Sequence, residues 1–328
     1  IKKWGGKGLP PFLPLLKQKV EVKMDKLIRK IQKRKVVDWF GSFAFILPVV
    51  IGIAVFTITP MVSSLAYSFT RTYTTVGGMG KWVGFENYQM IFGVYWAQIG
   101  KSLGSTFLFT VISLPLNLVL SFALALFLSK DIKGIKVFRV IYYLPVMLPA
   151  VVSGILWSSL ANGSDASAFN RILNFLHLQS YPFYDSENTA FFTFILMGLF
   201  TIGGNMILWI AQIKAIPEAM FEVAEIEGAN YFVRLFKIIL PMCTPMIFFN
   251  LIMGIINSLQ VFSNVITLNI EPAGKEQLDF IVVRIYDFYN STDLSMACAL
   301  SWVLFIIIAF ISAMTFKFNK WVYYGEEV

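Results

Sequence analysis

Charge is scarce in this chain. Asp, Glu, Lys and Arg together make up 14% of its 328 residues, against roughly 25% in an ordinary soluble domain. Hydrophobic residues make up 57%, and the mean hydropathy is +0.69. One soluble core cannot hide that much apolar surface, so the natural solvent is lipid. Histidine occurs once, at His177, and cysteine twice, at Cys243 and Cys298. Two cysteines so far apart exclude a disulfide scaffold and a C-x-x-C metal or redox site. They read as small apolar fillers, and His177, alone in a loop, takes no role. No phosphate-binding G-x-x-x-x-G-K-[ST] loop, no H-E-x-x-H and no nucleophile elbow is present. A catalytic constellation is therefore missing, the chain is not expected to be an enzyme, and any energy source must sit in another subunit. No metal and no nucleic acid is expected either, although the net charge is +8.

What is there is a set of long charge-free windows: residues 39–70, 102–129, 140–164, 188–213, 238–270 and 294–316. Each exceeds the length of about 20 apolar residues that carries a helix across a bilayer. Runs such as Ile46-Leu47-Pro48-Val49-Val50-Ile51 lack the alternation of a β-barrel strand. The expectation is an all-α membrane protein with six transmembrane helices. None of the windows carries Asp, Glu, Lys or Arg, which argues against a proton- or ion-coupled transporter.

The charges lie between the windows and are unevenly shared. Segments 1–38, 130–139, 214–237 and 317–328 hold 21 Lys and Arg, whereas 71–101, 165–187 and 271–293 hold 6. Basic loops stay in the cytoplasm, so both termini and the 214–241 loop are expected there. Residues 1–38 form a basic leader, 39–317 the six-span body and 318–328 a short tail. Within the leader, residues 17–35 read as a weakly amphipathic helix, either resting on anionic headgroups or simply solvated. The aromatics of 71–101, among them Trp82, Phe85, Tyr88 and Trp96, fit an interfacial belt better than a docking surface.

The loop between the fourth and fifth windows is the most informative segment. Pro217 suits the first turn of a short helix. Glu218, Glu222 and Glu225 share one side, and Phe221, Ala224 and Gly228 another. Gly228 ends the helix or lets another backbone pass closely. Pro241 marks the restart into the fifth span. An interfacial amphipathic helix would explain the composition but not the order of residues.

That order resembles the coupling motif of ATP-binding-cassette importer permeases, E-A-A-x3-G-x9-I-x-L-P. Glu222 and Ala224 match its first and third positions, Gly228 its glycine, and Ile238, Leu240 and Pro241 its end, while Val223 replaces the central alanine and Glu227 the usual Asp. Further stretches are similar to the carbohydrate subfamily, the maltose-type and glycerol-phosphate-type permeases. These are Trp82-Val83-Gly84-Phe85-Glu86-Asn87-Tyr88, Tyr143-Leu144-Pro145, Gln260-Val261-Phe262 and Trp321-Val322-Tyr323-Tyr324. The resemblance covers residues 40–326 and implies the type I ABC importer permease fold in a bacterial or archaeal cytoplasmic membrane. It implies a second permease, two ATPase subunits that bind ATP and Mg, and an outside solute-binding protein. It assigns Phe221, Glu222, Ala224, Glu225, Gly228 and Pro241 to ATPase coupling, with Phe221 expected to anchor in a partner pocket.

For a solute path, uncharged sugars call for amides and aromatic faces. Asn250, Asn257, Gln260 and Asn264 lie in the fifth window, the last three at helical spacing, and Asn205 and Trp209 lie in the fourth. Such groups serve equally as interhelical glue. The resemblance favours the path for Asn257 and Gln260, and more weakly for Asn205; Asn264 stands between the two. Carbohydrate import is the expected function. Polyol, glycerol phosphate or peptide import by the same mechanism, or secondary transport, are the alternatives.

Overall fold

The computed structural model describes residue 43 and residues 45–71, 80–130, 132–268, 271–291 and 293–322. The leader and the tail residues Tyr323 and Tyr324 lie outside them. The chain divides into two compact units, Ile1–Ser64 and Leu65–Val328.

The six charge-free windows become four long helical spans and two bent pairs. Spans one, two, five and six are Phe45–Ser68, Trp96–Leu128, Thr244–Ile266 and Leu294–Lys317. Span three is Ile135–Met147 with Ala150–Leu160, bent by 100°, and span four is Ala190–Leu199 with Gly203–Lys214, bent by 41°. The bend in span three falls at a 3-10 turn, Leu144–Met147, which contains Pro145 and is followed by Pro149. Neither proline donates an N–H, and each restricts the residue before it. The milder bend follows from Gly203-Gly204, which opens the second half of span four.

Span two is the central pillar, touching spans three, four and five. At 33 residues it is about 50 Å long, well over the hydrocarbon thickness. Hydroxyls line one side of its first half: Thr106 donates to the Ser102 carbonyl at 2.7 Å and Thr110 to the Thr106 carbonyl at 2.9 Å. The Thr106 hydroxyl also accepts from the Ile281 N–H at 2.9 Å, fixing the start of the helix Ile281–Asn290.

Two prolines are preceded by wide, π-type turns. In span one, the turn Ala54–Ile58 stands just before Pro60, and the Thr59 N–H and hydroxyl both reach the Ala54 carbonyl. At the entry to span five, the turn Leu235–Ile239 stands before Pro241, and the Leu240 N–H reaches back five residues to Leu235. A π turn takes in one extra residue and so relieves the clash that a proline ring makes with the turn before it.

We call the end bearing the 214–241 loop proximal and the opposite end distal. At the distal end, the stretch 82–88 closes a small hairpin in which Thr70 pairs with Trp82 and Arg71 with Lys81. Buried Asn87 staples it, donating to the Ser68 and Thr70 carbonyls, each at 2.8 Å. Phe69 stacks on Trp82 and meets Phe85 edge-on, so these aromatics pack on one another. Lys101 pairs with Glu276 and holds its carboxyl below the usual range by hydrogen bonding. Ser102 donates to Asp279 at 2.8 Å, and Asp279 pairs with Arg284. Burial pushes the neighbouring Asp287 carboxyl upward. Among the described residues, these charges remain at the distal rim.

Candidate functional site

Spans two, four and five enclose a cleft of about 410 Å³, and Val146 at the break of span three adds to its wall. Span two contributes Ser113 and Asn117, span four Thr201 and Asn205, and span five Asn257, Ser258 and Asn264. Phe109 and Phe194 supply ring faces. Not one Asp, Glu, Lys, Arg or His is among the lining residues. Glycines let helices approach closely at and beside the cleft. A methyl group on Gly254 would stand 2.2 Å from Leu114 Cδ1, and one on Gly203 would stand 1.9 Å from the Tyr142 carbonyl oxygen. Inside lipid, apolar contact alone drives little helix association, so small residues and polar contacts carry more of it.

The amides divide by what they touch. Asn205 Nδ2 donates to Asn117 Oδ1 at 2.8 Å, joining spans four and two at the cleft wall. Asn257 is exposed and lines the cleft. Asn264 also lines it, but its Oδ1 is shut away from solvent with no partner. Gln260 is exposed yet is not among the lining residues. The regular helix Thr244–Leu259 ends just before it, and Gln260 takes a non-helical φ of −113°. The spacing from Asn257 to Asn264 therefore does not run along one helix. Trp209 is fully buried, its Nε1 donating to Ser121 Oγ at 3.1 Å, which is glue between spans four and two. Asn250 is buried, with its Nδ2 unpaired. Ser113 and Asn117, one turn apart on span two, were not singled out from the sequence. Asn117 follows Pro115 in a leucine-rich run, and only the fold brings it to Asn205.

At the proximal end, the loop forms the helix Glu218–Ile226, a turn, and a second helix Tyr231–Arg234. Pro217 precedes the first helix as its cap. Gly228 has a φ of +70°, a left-handed conformation that glycine adopts without a Cβ penalty. The Ala229 N–H returns to the Ala224 carbonyl at 2.8 Å and the Gly228 N–H to the Glu225 carbonyl at 3.0 Å. This pair of bonds is the Schellman arrangement. Asn230 then caps the second helix, its side chain accepting from the Val233 N–H at 2.9 Å.

The first helix has two faces. Ala224 is buried and Phe221 half-buried. Phe221 packs against a cluster of this chain's own residues, including Leu128, Trp209 and Ile213, instead of standing free for a partner. The loop helix is thus mounted on the bundle. The other face presents Glu218, Glu222, Val223 and Ile226, the last 87% exposed. Glu225 is exposed and lies near Arg234, while Pro241 sits in the short helix Leu240–Met242, directly after the wide turn.

Comparison with known proteins agrees with this anatomy. Residues 128–323 match the family described as binding-protein-dependent transport system inner membrane component. The chain is 33% identical over 300 residues to the probable ABC transporter permease protein YesP of Bacillus subtilis (strain 168), spanning 88% of this chain and 94% of that protein. It is 27% identical over 280 residues to the trehalose/maltose transport system permease protein MalF of Thermococcus litoralis, spanning 85% and 93%. Its fold resembles that of a chain in the bacterial alginate ABC transporter, solved in complex with an alginate pentasaccharide-bound periplasmic protein. The TM-score is 0.75 at 22% identity, over 86% of this chain and 94% of that one. With its apolar spans, its bundle-mounted loop helix and a matched region covering more than half its length, the chain belongs to the family of inner membrane components of binding-protein-dependent transport systems.

Proposed function

We propose that this chain is the permease subunit of an ATP-binding-cassette importer that passes a carbohydrate from an outside solute-binding protein into the cytoplasm. The observation that carries the reading is the cleft: amides, hydroxyls and two aromatic rings, with no charged side chain on its wall. Sugar hydroxyls both donate and accept. Asn257 offers two donors and an acceptor, and Asn205 and Asn117 keep the donors and lone pairs that their mutual bond leaves over, so a sugar can trade water for protein partners there at little electrostatic cost. Asn264 and Gln260 stand at the distal end of span five, where the solute enters. The names of YesP and MalF, an ABC permease and a trehalose/maltose permease, support the class.

In this reading the proximal end, the loop 214–241 and both termini face the cytoplasm of a bacterium or archaeon. Two ATPase subunits hold ATP and Mg and dock on Glu222, Glu225 and the Gly228 turn, while Phe221 and Ala224 pass the movement into the bundle. Pro241 marks where the loop joins span five. A second permease completes the path, and this chain itself hydrolyses nothing. The test is uptake by the purified complex in proteoliposomes. A labelled neutral oligosaccharide should enter only with ATP present, and less of it per complex with Asn257→Ala. Uptake driven by an ion gradient in the absence of ATP would overturn the proposal.

A further inference from the structure

Arg234 reaches back across the turn of the loop. Its Nε donates to the Ala229 carbonyl at 3.0 Å, and its Nη1 lies 3.7 Å from Glu225 Oε2. The first acceptor belongs to the turn and the second to the last turn of the helix Glu218–Ile226. The Schellman bonds fix how the chain leaves that helix, and the Asn230 cap fixes how it enters the next. Between these two fixed points only the torsions joining Ala229 to Asn230 stay free, and the Arg234 side chain closes over them. Immediately after Arg234 comes the wide turn Leu235–Ile239 and then Pro241. Both features weaken or bend a helix. The loop is therefore braced up to Arg234 and compliant beyond it.

We propose that Arg234 is a positioning residue of the transport cycle. It splints the helix Glu218–Ile226 to the short helix Tyr231–Arg234 that leads toward span five, so that both move as one lever and bending is confined to residues 235–241. The proposal rests on the function given above. An ion pair at 3.7 Å with an exposed Glu225 contributes little stability by itself, so the role is geometric. Arginine suits it because a planar fork addresses two acceptors at once, whereas a lysine ammonium is a single point charge on a flexible stem.

The experiment uses the whole complex, with its ATPases and solute-binding protein, in proteoliposomes. For Arg234→Ala, recovery of ATPase subunits and ATP hydrolysis should persist, while solute carried per ATP falls about 3-fold or more, within the range that coupling residues reach. Arg234→Lys should fall between the two. Spin labels at positions 219 and 232 should give a narrow distance distribution in the wild type and a broad one in Arg234→Ala. Should Arg234→Ala fail to insert, Arg234→Lys and Arg234→Gln carry the same comparison. Unchanged solute per ATP, a distribution that stays narrow, or loss of ATPase recovery would each overturn the splint. A wild-type complex without ATP-driven uptake would overturn the underlying function instead.

Discussion

The Asn205 amide donates to Asn117 Oδ1 across 2.8 Å, and both side chains stand on the wall of the same cleft. One contact thus joins span four to span two and also edges the space that a solute would occupy. Asn257 differs, because among the described residues no side-chain hydrogen bond of the chain holds it.

That difference gives the first prediction. Asn205→Ala should lower the thermal stability of the purified complex, by about 0.6 kcal/mol for one hydrogen bond between membrane helices, and should also lower uptake. Asn257→Ala should lower uptake per complex and leave the melting temperature in place. Gln260→Ala, outside the cleft lining, should have the smaller effect on uptake. A melting-temperature loss for Asn257→Ala equal to that of Asn205→Ala would show that Asn257 is structural.

Adjacent glycines in span four should behave oppositely. A Cβ on Gly203 would meet the Tyr142 carbonyl oxygen at 1.9 Å and its carbon at 2.6 Å, backbone atoms that cannot rotate away. A Cβ on Gly204 would meet Val146 Cγ1 at 3.4 Å, an ordinary contact. Gly203→Ala should therefore cost about 1–3 kcal/mol or more, as overpacking does, and Gly204→Ala much less. Thermal unfolding of the two variants in detergent checks the order, and equal losses would contradict the close approach.

At the coupling loop, Gly228 needs its positive φ, but nothing lies within 4 Å of a Cβ built there. Asparagine tolerates the same conformation. Gly228→Asn should therefore leave insertion and melting temperature close to wild type while reducing ATPase recovery in a pull-down. Glu222→Lys, which reverses an exposed charge, should do the same. Full uptake in both variants would refute docking on this face.

Orientation is testable with single cysteines in a cysteine-free background. A cysteine at position 230 should resist an impermeant reagent in intact cells and react after lysis. One at position 187, in the distal segment, should react in both. Labelling of position 230 from outside would invert the topology.

The sequence displays the spans clearly because a missing charge is visible wherever the helix runs. It hides the bends, since a charge-free window reads the same whether straight or folded by 100°. Pro145 and Pro149 were visible, but only the fold shows that the chain turns there by 100° instead of kinking slightly. The cleft was half legible. Asn205, Asn257 and Asn264 are polar residues in apolar windows and draw the eye. Helical spacing carried Gln260 along with them, and it fails there because the regular helix stops at Leu259. The acidic stripe on the loop was plain, yet the inward packing of Phe221 needs the bundle to be seen.

The wide turn before Pro241 also sets a phase. One residue inserted into or removed from a helix rotates everything beyond it by about 100°. The extra residue held in Leu235–Ile239 therefore decides which side of span five confronts spans two and four. Were this stretch shortened by one position, the hydrophobicity of the span would hardly change, but Asn257 would swing by about 100° and Ser258, with its shorter side chain, would move into its place. The distance along the chain from the coupling loop to the amides is thus a rotational setting as well as a length, and relatives that keep both ends must also keep the count between them.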